Sequence, residues 1–76
     1  MKEKISSIIS KHLEINISDF NFDISQANCD NWDSLKTLFI VSDLEEEFNI
    51  QFEPSEMESM NSYDAIIKVI KTYINE

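Results

Sequence analysis

A chain of 76 residues with 42% hydrophobic side chains, no glycine and one proline is long enough for one domain with a small core. Six lysines stand against fifteen acidic residues, a net charge of −9. That balance speaks against nucleic acid and anionic membrane surfaces and favours basic protein partners met by electrostatic steering. A single cysteine, Cys29, excludes an intrachain disulfide framework and a cysteine-rich zinc site.

No apolar run approaches the roughly 18 residues of a membrane span. The opening MKEKISSIIS is too short and too interrupted for a signal peptide. The expectation is a monomeric, cytoplasmic, single domain over 1–76, with no membrane insertion.

In segment 2–14, Ile5, Ile8, Ile9 and Leu13 recur at helical spacing, which predicts an amphipathic first helix. Segment 15–33 breaks that period and is longer than most connections in a small domain, which marks it as a candidate functional loop. Ile15, Ile17, Phe20, Phe22 and Ile24 alternate with polar residues there. No partner strand is visible elsewhere, so they are expected to pin the loop onto the helices. Asp19, Asn21 and Asp23 have the first ligand spacings of a calcium loop. Ile24 stands where such a loop needs glycine and Asp30 where it needs glutamate, so no dedicated metal site is expected. Cys29 reads as an inert thiol and Trp32 as a loop anchor beside the next helix.

Segment 34–48 is the second predicted helix. With about 100° per residue and Leu35 at zero, Ile40, Leu44, Phe48 and Val41 fall between about 140° and 240°, the natural core face. Leu35, Leu38, Phe39 and Ser42 lie opposite. That second apolar face either packs under the long loop or docks partner proteins with Phe39 as its anchor. Glu45, Glu46 and Glu47 crowd the negative end of the helix dipole and Lys36 the positive end. Each placement is unfavourable by about 0.3–1 kcal/mol and suggests a surface selected for partners.

Pro54 then breaks the chain, 55–60 predicts a short third helix, and Asn61 or Ser62 caps a fourth over 62–75. Ile66, Ile67, Val69, Ile70, Tyr73 and Ile74 form its apolar side, and Tyr63 and Tyr73 read as packing residues. Without glycine, Asn49 and Asn61 are the candidates for the left-handed position that ends a helix. The sum is an all-α fold: a four-helix bundle with a short third helix and a long loop between helices one and two.

Asp33-Ser34 precedes the apolar run of the second helix, a helix-start signal. Such a start presents free N–H groups and a positive dipole end, which suit a phosphate ester on Ser34. A nucleophilic role would require a nearby base, and the only histidine, His12, lies near the end of the first helix. A purely structural alternative makes Ser34 an N-cap shared with Asp33.

The triplet Asp33-Ser34-Leu35, followed by the helix Leu38 to Phe48 with its run Leu44-Glu45-Glu46-Glu47-Phe48, resembles the attachment motif and recognition helix of acyl carrier proteins. Phe52, Met57 and Met60 fall where that family keeps apolar residues around its short third helix, and Ser62-Tyr63 with Ile66, Ile67 and Ile70 resembles its last helix. The resemblance covers nearly the whole chain and is strongest from Trp32 onward.

It implies that a phosphopantetheinyl transferase moves phosphopantetheine from coenzyme A onto Ser34. The tethered thiol then carries acyl groups as thioesters, and the protein itself catalyses nothing. It implies that Asp33 and Leu35 belong to the attachment site. The partner surface is expected at Lys36, Leu38, Phe39, Glu45 and Glu46, facing basic docking patches of acyl ligases or synthases.

Asn31-Trp32 stands where the family often has a glycine-containing turn, and Lys36 and Phe39 stand where the fatty-acid type is commonly acidic. These departures put the pathway in question, primary fatty-acid or specialised and polyketide-like. A peptidyl or aminoacyl carrier, and an unmodified acidic helical adaptor, are the alternatives.

Overall fold

The computed structural model describes residues 2–74. Ile5, Ile9 and Leu13 repeat every four residues and are fully or almost fully buried, which fixes the inward face of α1, Lys2–Leu13. A single 3₁₀ turn, Ile17–Asp19, follows. Then come α2, Ser34–Phe48, the short α3, Pro54–Ser59, and α4, Tyr63–Ile74. The fold is all-helical, with four α-helices around one core and no strand among the described residues. The expected end of the last helix at residue 75 lies outside the described residues.

Ile40, Val41 and Leu44 bury the face of α2 that the periodicity assigns to the core, with Phe48 half-buried beside them. Ile66, Ile67 and Ile70 answer from α4, and Phe52 and Met60 close the α3 side. Trp32, only 2% exposed, fills the space under the start of α2, the anchoring role its position suggests.

Helix ends show how a chain without glycine stops its helices. Asn49 takes the left-handed backbone after α2 (φ 55°), and its N–H donates to Glu45 C=O. The corresponding residue after α1 is Glu14 (φ 57°), an unfavourable conformation for a side chain with a β-carbon, by about 1 kcal/mol. Neighbours hold it there. Ile15 N–H donates to Ser10 C=O at 2.9 Å, Asn31 Nδ2 to Leu13 C=O at 2.7 Å, and Lys36 Nζ to His12 C=O at 3.1 Å.

Asn61 does not take the role expected of it. The chain leaves α3 at Met60 with φ −85°, and Asn61 C=O instead accepts from Gln26 N–H at 2.9 Å. Ser62 does cap α4, its Oγ accepting from Ala65 N–H at 3.0 Å.

The long connection is more tightly held than a plain loop. Ser25 and Ser62 form an isolated antiparallel bridge, and Tyr63 N–H donates to Ile24 C=O at 3.0 Å. The alternating segment forms no strand, and the loop instead meets the α3–α4 junction through this one bridge. Ile24 is buried, and Ile15 and Phe20 pack partly against the core, but Ile17 and Phe22 are exposed. Phe22 meets the edges of Phe20 and Tyr63 rather than the interior.

At the other side, Tyr73 packs edge-on against Phe52 at 5.5 Å, and its hydroxyl donates to the Glu56 carboxylate. That bond raises Tyr73 to about 12 and lowers Glu56.

Candidate functional site

The N-terminus of α2 assembles around Asp33. This residue is extended (φ −110°, ψ −175°), and its Oδ1 accepts from Lys36 N–H at 2.9 Å. Asp33 is therefore the N-cap, and Ser34 is the first helical residue. The capping work does not consume the Ser34 hydroxyl, and Ser34 is exposed. In the first turn the Asp33 carboxylate takes up the Lys36 amide, and the N–H groups of Ser34 and Leu35 have no acceptor within the helix. An exposed hydroxyl beside two such donors and a positive dipole end suits a phosphate ester.

The face of α2 turned away from the core is open. Leu35 and Leu38 are each 56% exposed and Phe39 46%. The long loop does not cover this face, which removes the reading in which all of it packs inward. The Phe39 ring stacks with that of His12 of α1 at 6.1 Å and 25°.

Ser34 and Leu38 also form one wall of a cleft of about 300 Å³, whose remaining lining is Gln26, Thr37, Met57, Glu58 and Asn61. This is the low end of the size range for small-molecule sites. Thr37 and Leu38 of α2 face Met57 and Glu58 of α3 across it, and Gln26 and Asn61 come from the loop and the α3–α4 junction.

The charged residues of the expected partner surface divide. Glu46 is exposed. Glu45 is half-buried, and its Oε2 accepts from Phe52 N–H at 2.8 Å, fastening the chain that leaves α2. The Lys36 ammonium caps the last turn of α1. Two of the wrong-signed residues on the α2 dipole, Lys36 and Glu45, thus have a partner inside the fold, Lys36 serving the negative end of α1.

His12 Nε2 meets Asp43 Oδ2 at 2.5 Å, and Lys11 Nζ lies 3.2 Å from the same oxygen. The hydrogen bond from His12, opposed by desolvation and aided by Lys11, holds the Asp43 carboxyl below its ordinary value. This engagement ties the only histidine to α2 as a structural partner of Asp43.

Sequence reasoning missed Thr37, Gln26, Glu58 and Asn61 as site residues. Thr37 was detectable: it sits three, four and seven residues before Ile40, Val41 and Leu44, on the same face. Asn21, part of the calcium-like spacing, instead accepts Asp23 N–H at its own Oδ1, at 2.9 Å, as in an ordinary Asx turn. Comparison with known proteins finds no family model that matches the chain and no curated protein that matches it.

Proposed function

We propose that this chain is an acyl carrier protein with a carrier-type four-helix bundle, modified by phosphopantetheine on Ser34. The observation that carries the reading is the exposed Ser34 at the first position of α2, freed from capping by Asp33 and opening onto the cleft beside Leu38 and Met57. The residues present suit the group. The first-turn N–H groups of Ser34 and Leu35 lack acceptors within α2, and with the positive end of its dipole they would suit a phosphodiester on Ser34. The cleft offers apolar walls with amide and carboxylate groups for the arm and what it carries. When attached, phosphopantetheine supplies a thiol on a flexible tether, which holds an acyl group as a thioester.

The chain's own residues have three tasks on this reading. Asp33 fixes the helix start and contacts the transferase. Leu35, Leu38 and Phe39 form an apolar docking face, with Glu46 as its exposed acidic group, for enzymes with basic patches. Lys36 and Glu45 support that face from its edges while engaged with His12 and Phe52. The protein works as a cytoplasmic monomer, presents cargo and catalyses nothing itself.

The test is modification in vitro with coenzyme A and a transferase of broad specificity, read by intact mass. Wild type gains one phosphopantetheine and Ser34→Ala gains none. No gain with several competent transferases would replace the carrier by an unmodified acidic adaptor.

A further inference from the structure

We propose that Thr37 is a positioning residue for the modification of Ser34. Its hydroxyl fixes the backbone of the Asp33-Ser34 junction and so sets where the Ser34 oxygen is presented. The proposal rests on the carrier reading of Ser34.

Thr37 lies on the core face of α2 and is buried. A hydroxyl in such a position is costly unless its hydrogen-bonding capacity is used. Valine would fill the same space without that cost, so the hydroxyl has to be accounted for. A threonine hydroxyl has one hydrogen to donate and two lone pairs. All three are engaged. Trp32 Nε1 donates to it at 2.8 Å, Gln26 Nε2 donates at 3.2 Å, and the hydroxyl donates to Asp33 C=O at 3.1 Å. The same carbonyl accepts Thr37 N–H at 3.0 Å.

One side chain therefore gathers the long loop, through Gln26 and the buried indole of Trp32, onto the carbonyl next to Ser34. Gln26 extends the connection, because its N–H donates to Asn61 C=O at the α3–α4 junction. Both Gln26 and Thr37 line the cleft that Ser34 opens into. The first turn of a helix is where fraying is easiest. In the transfer the Ser34 oxygen would form a bond to the pantetheine-side phosphorus of coenzyme A. The pyrophosphate P–O bond would break with adenosine 3′,5′-bisphosphate leaving, and the Ser34 proton would pass to a base of the transferase or water. Such an attack depends steeply on placement of the reacting oxygen. A clamp on the carbonyl next to Ser34 acts on that placement, and it does so without touching Leu35 or Phe39 on the docking face.

The experiment compares wild type, Thr37→Val and Thr37→Ser in two measurements: transferase kinetics with coenzyme A, and amide hydrogen exchange of the unmodified protein. Thr37→Val should lower kcat about tenfold, the scale of an orphaned buried donor, with KM for the carrier nearly unchanged. Exchange at the Thr37 amide should rise by about the same factor while the Leu44 amide, in the core of α2, keeps its rate. Thr37→Ser should restore both.

A folded Thr37→Val with wild-type kcat overturns the proposal, whatever its exchange rates. Should Thr37→Val fail to fold, Thr37→Ala, a better helix former, carries the same comparison. A wild-type protein that no transferase modifies overturns the carrier reading itself. Faster exchange in the variant would then mark a clamp without a role in modification.

Discussion

His12 and Asp43 join the last turn of α1 to the middle of α2 through a 2.5 Å contact between Nε2 and Oδ2. Because Asp43 is held below its ordinary 3.8, chiefly by the bond from His12, its contribution is fully present above that value and is lost as pH falls through the lower folded one. Urea midpoints measured from about pH 5 downward should therefore fall more steeply in wild type than in Asp43→Asn. The control Glu46→Gln, at an exposed acid, should follow wild type.

Adjacent glutamates in the acidic run have unequal jobs. Glu45 accepts the Phe52 N–H, whereas Glu46 is exposed. Glu45→Ala should cost about 1.5 kcal/mol, the scale of a hydrogen bond to a charged group. Glu46→Ala should stay within about 0.5 kcal/mol. Urea denaturation of the two variants separates them.

Phe39 tests the docking face. It is 46% exposed and rests only on the His12 ring among the described aromatic contacts. On the proposed carrier reading, Phe39→Glu should leave the fold intact and lower kcat/KM for loading by a partner ligase at least tenfold, the scale of an interface anchor of about 1.4 kcal/mol or more. Normal loading of this variant would exclude Phe39 as an anchor.

Much of this fold is legible in the chain because its helices obey one period. Ile5, Ile9 and Leu13, and then Ile40, Val41 and Leu44, are assigned to the core by spacing alone and are buried in the structure. Pro54 and Ser62 mark helix starts through chemistry that acts within one turn. The start of α2 is legible for the same reason, since the Asp33 cap reaches only to Lys36.

What spacing does not show is how far a long side chain reaches. Lys36 looks misplaced on its own helix until its ammonium is found on the His12 carbonyl, 24 residues away in sequence. Glu45 looks like one member of a charge run until the backbone of Phe52 folds back to it. The cleft escapes the sequence for a related reason. Its walls come from the loop, α2, α3 and the α3–α4 junction, and no local pattern links Gln26 to Met57 or Asn61.

The central question is whether the oxygen of Ser34 carries a phosphopantetheine. The most direct measurement is fragmentation mass spectrometry of the intact protein purified from the cells that make it. The carrier reading proposed for Ser34 predicts a species heavier by one phosphopantetheine, with the added mass only on fragments that contain Ser34. A protein that is uniformly unmodified in cells with an active transferase, or modified at another residue, would contradict the proposed carrier reading.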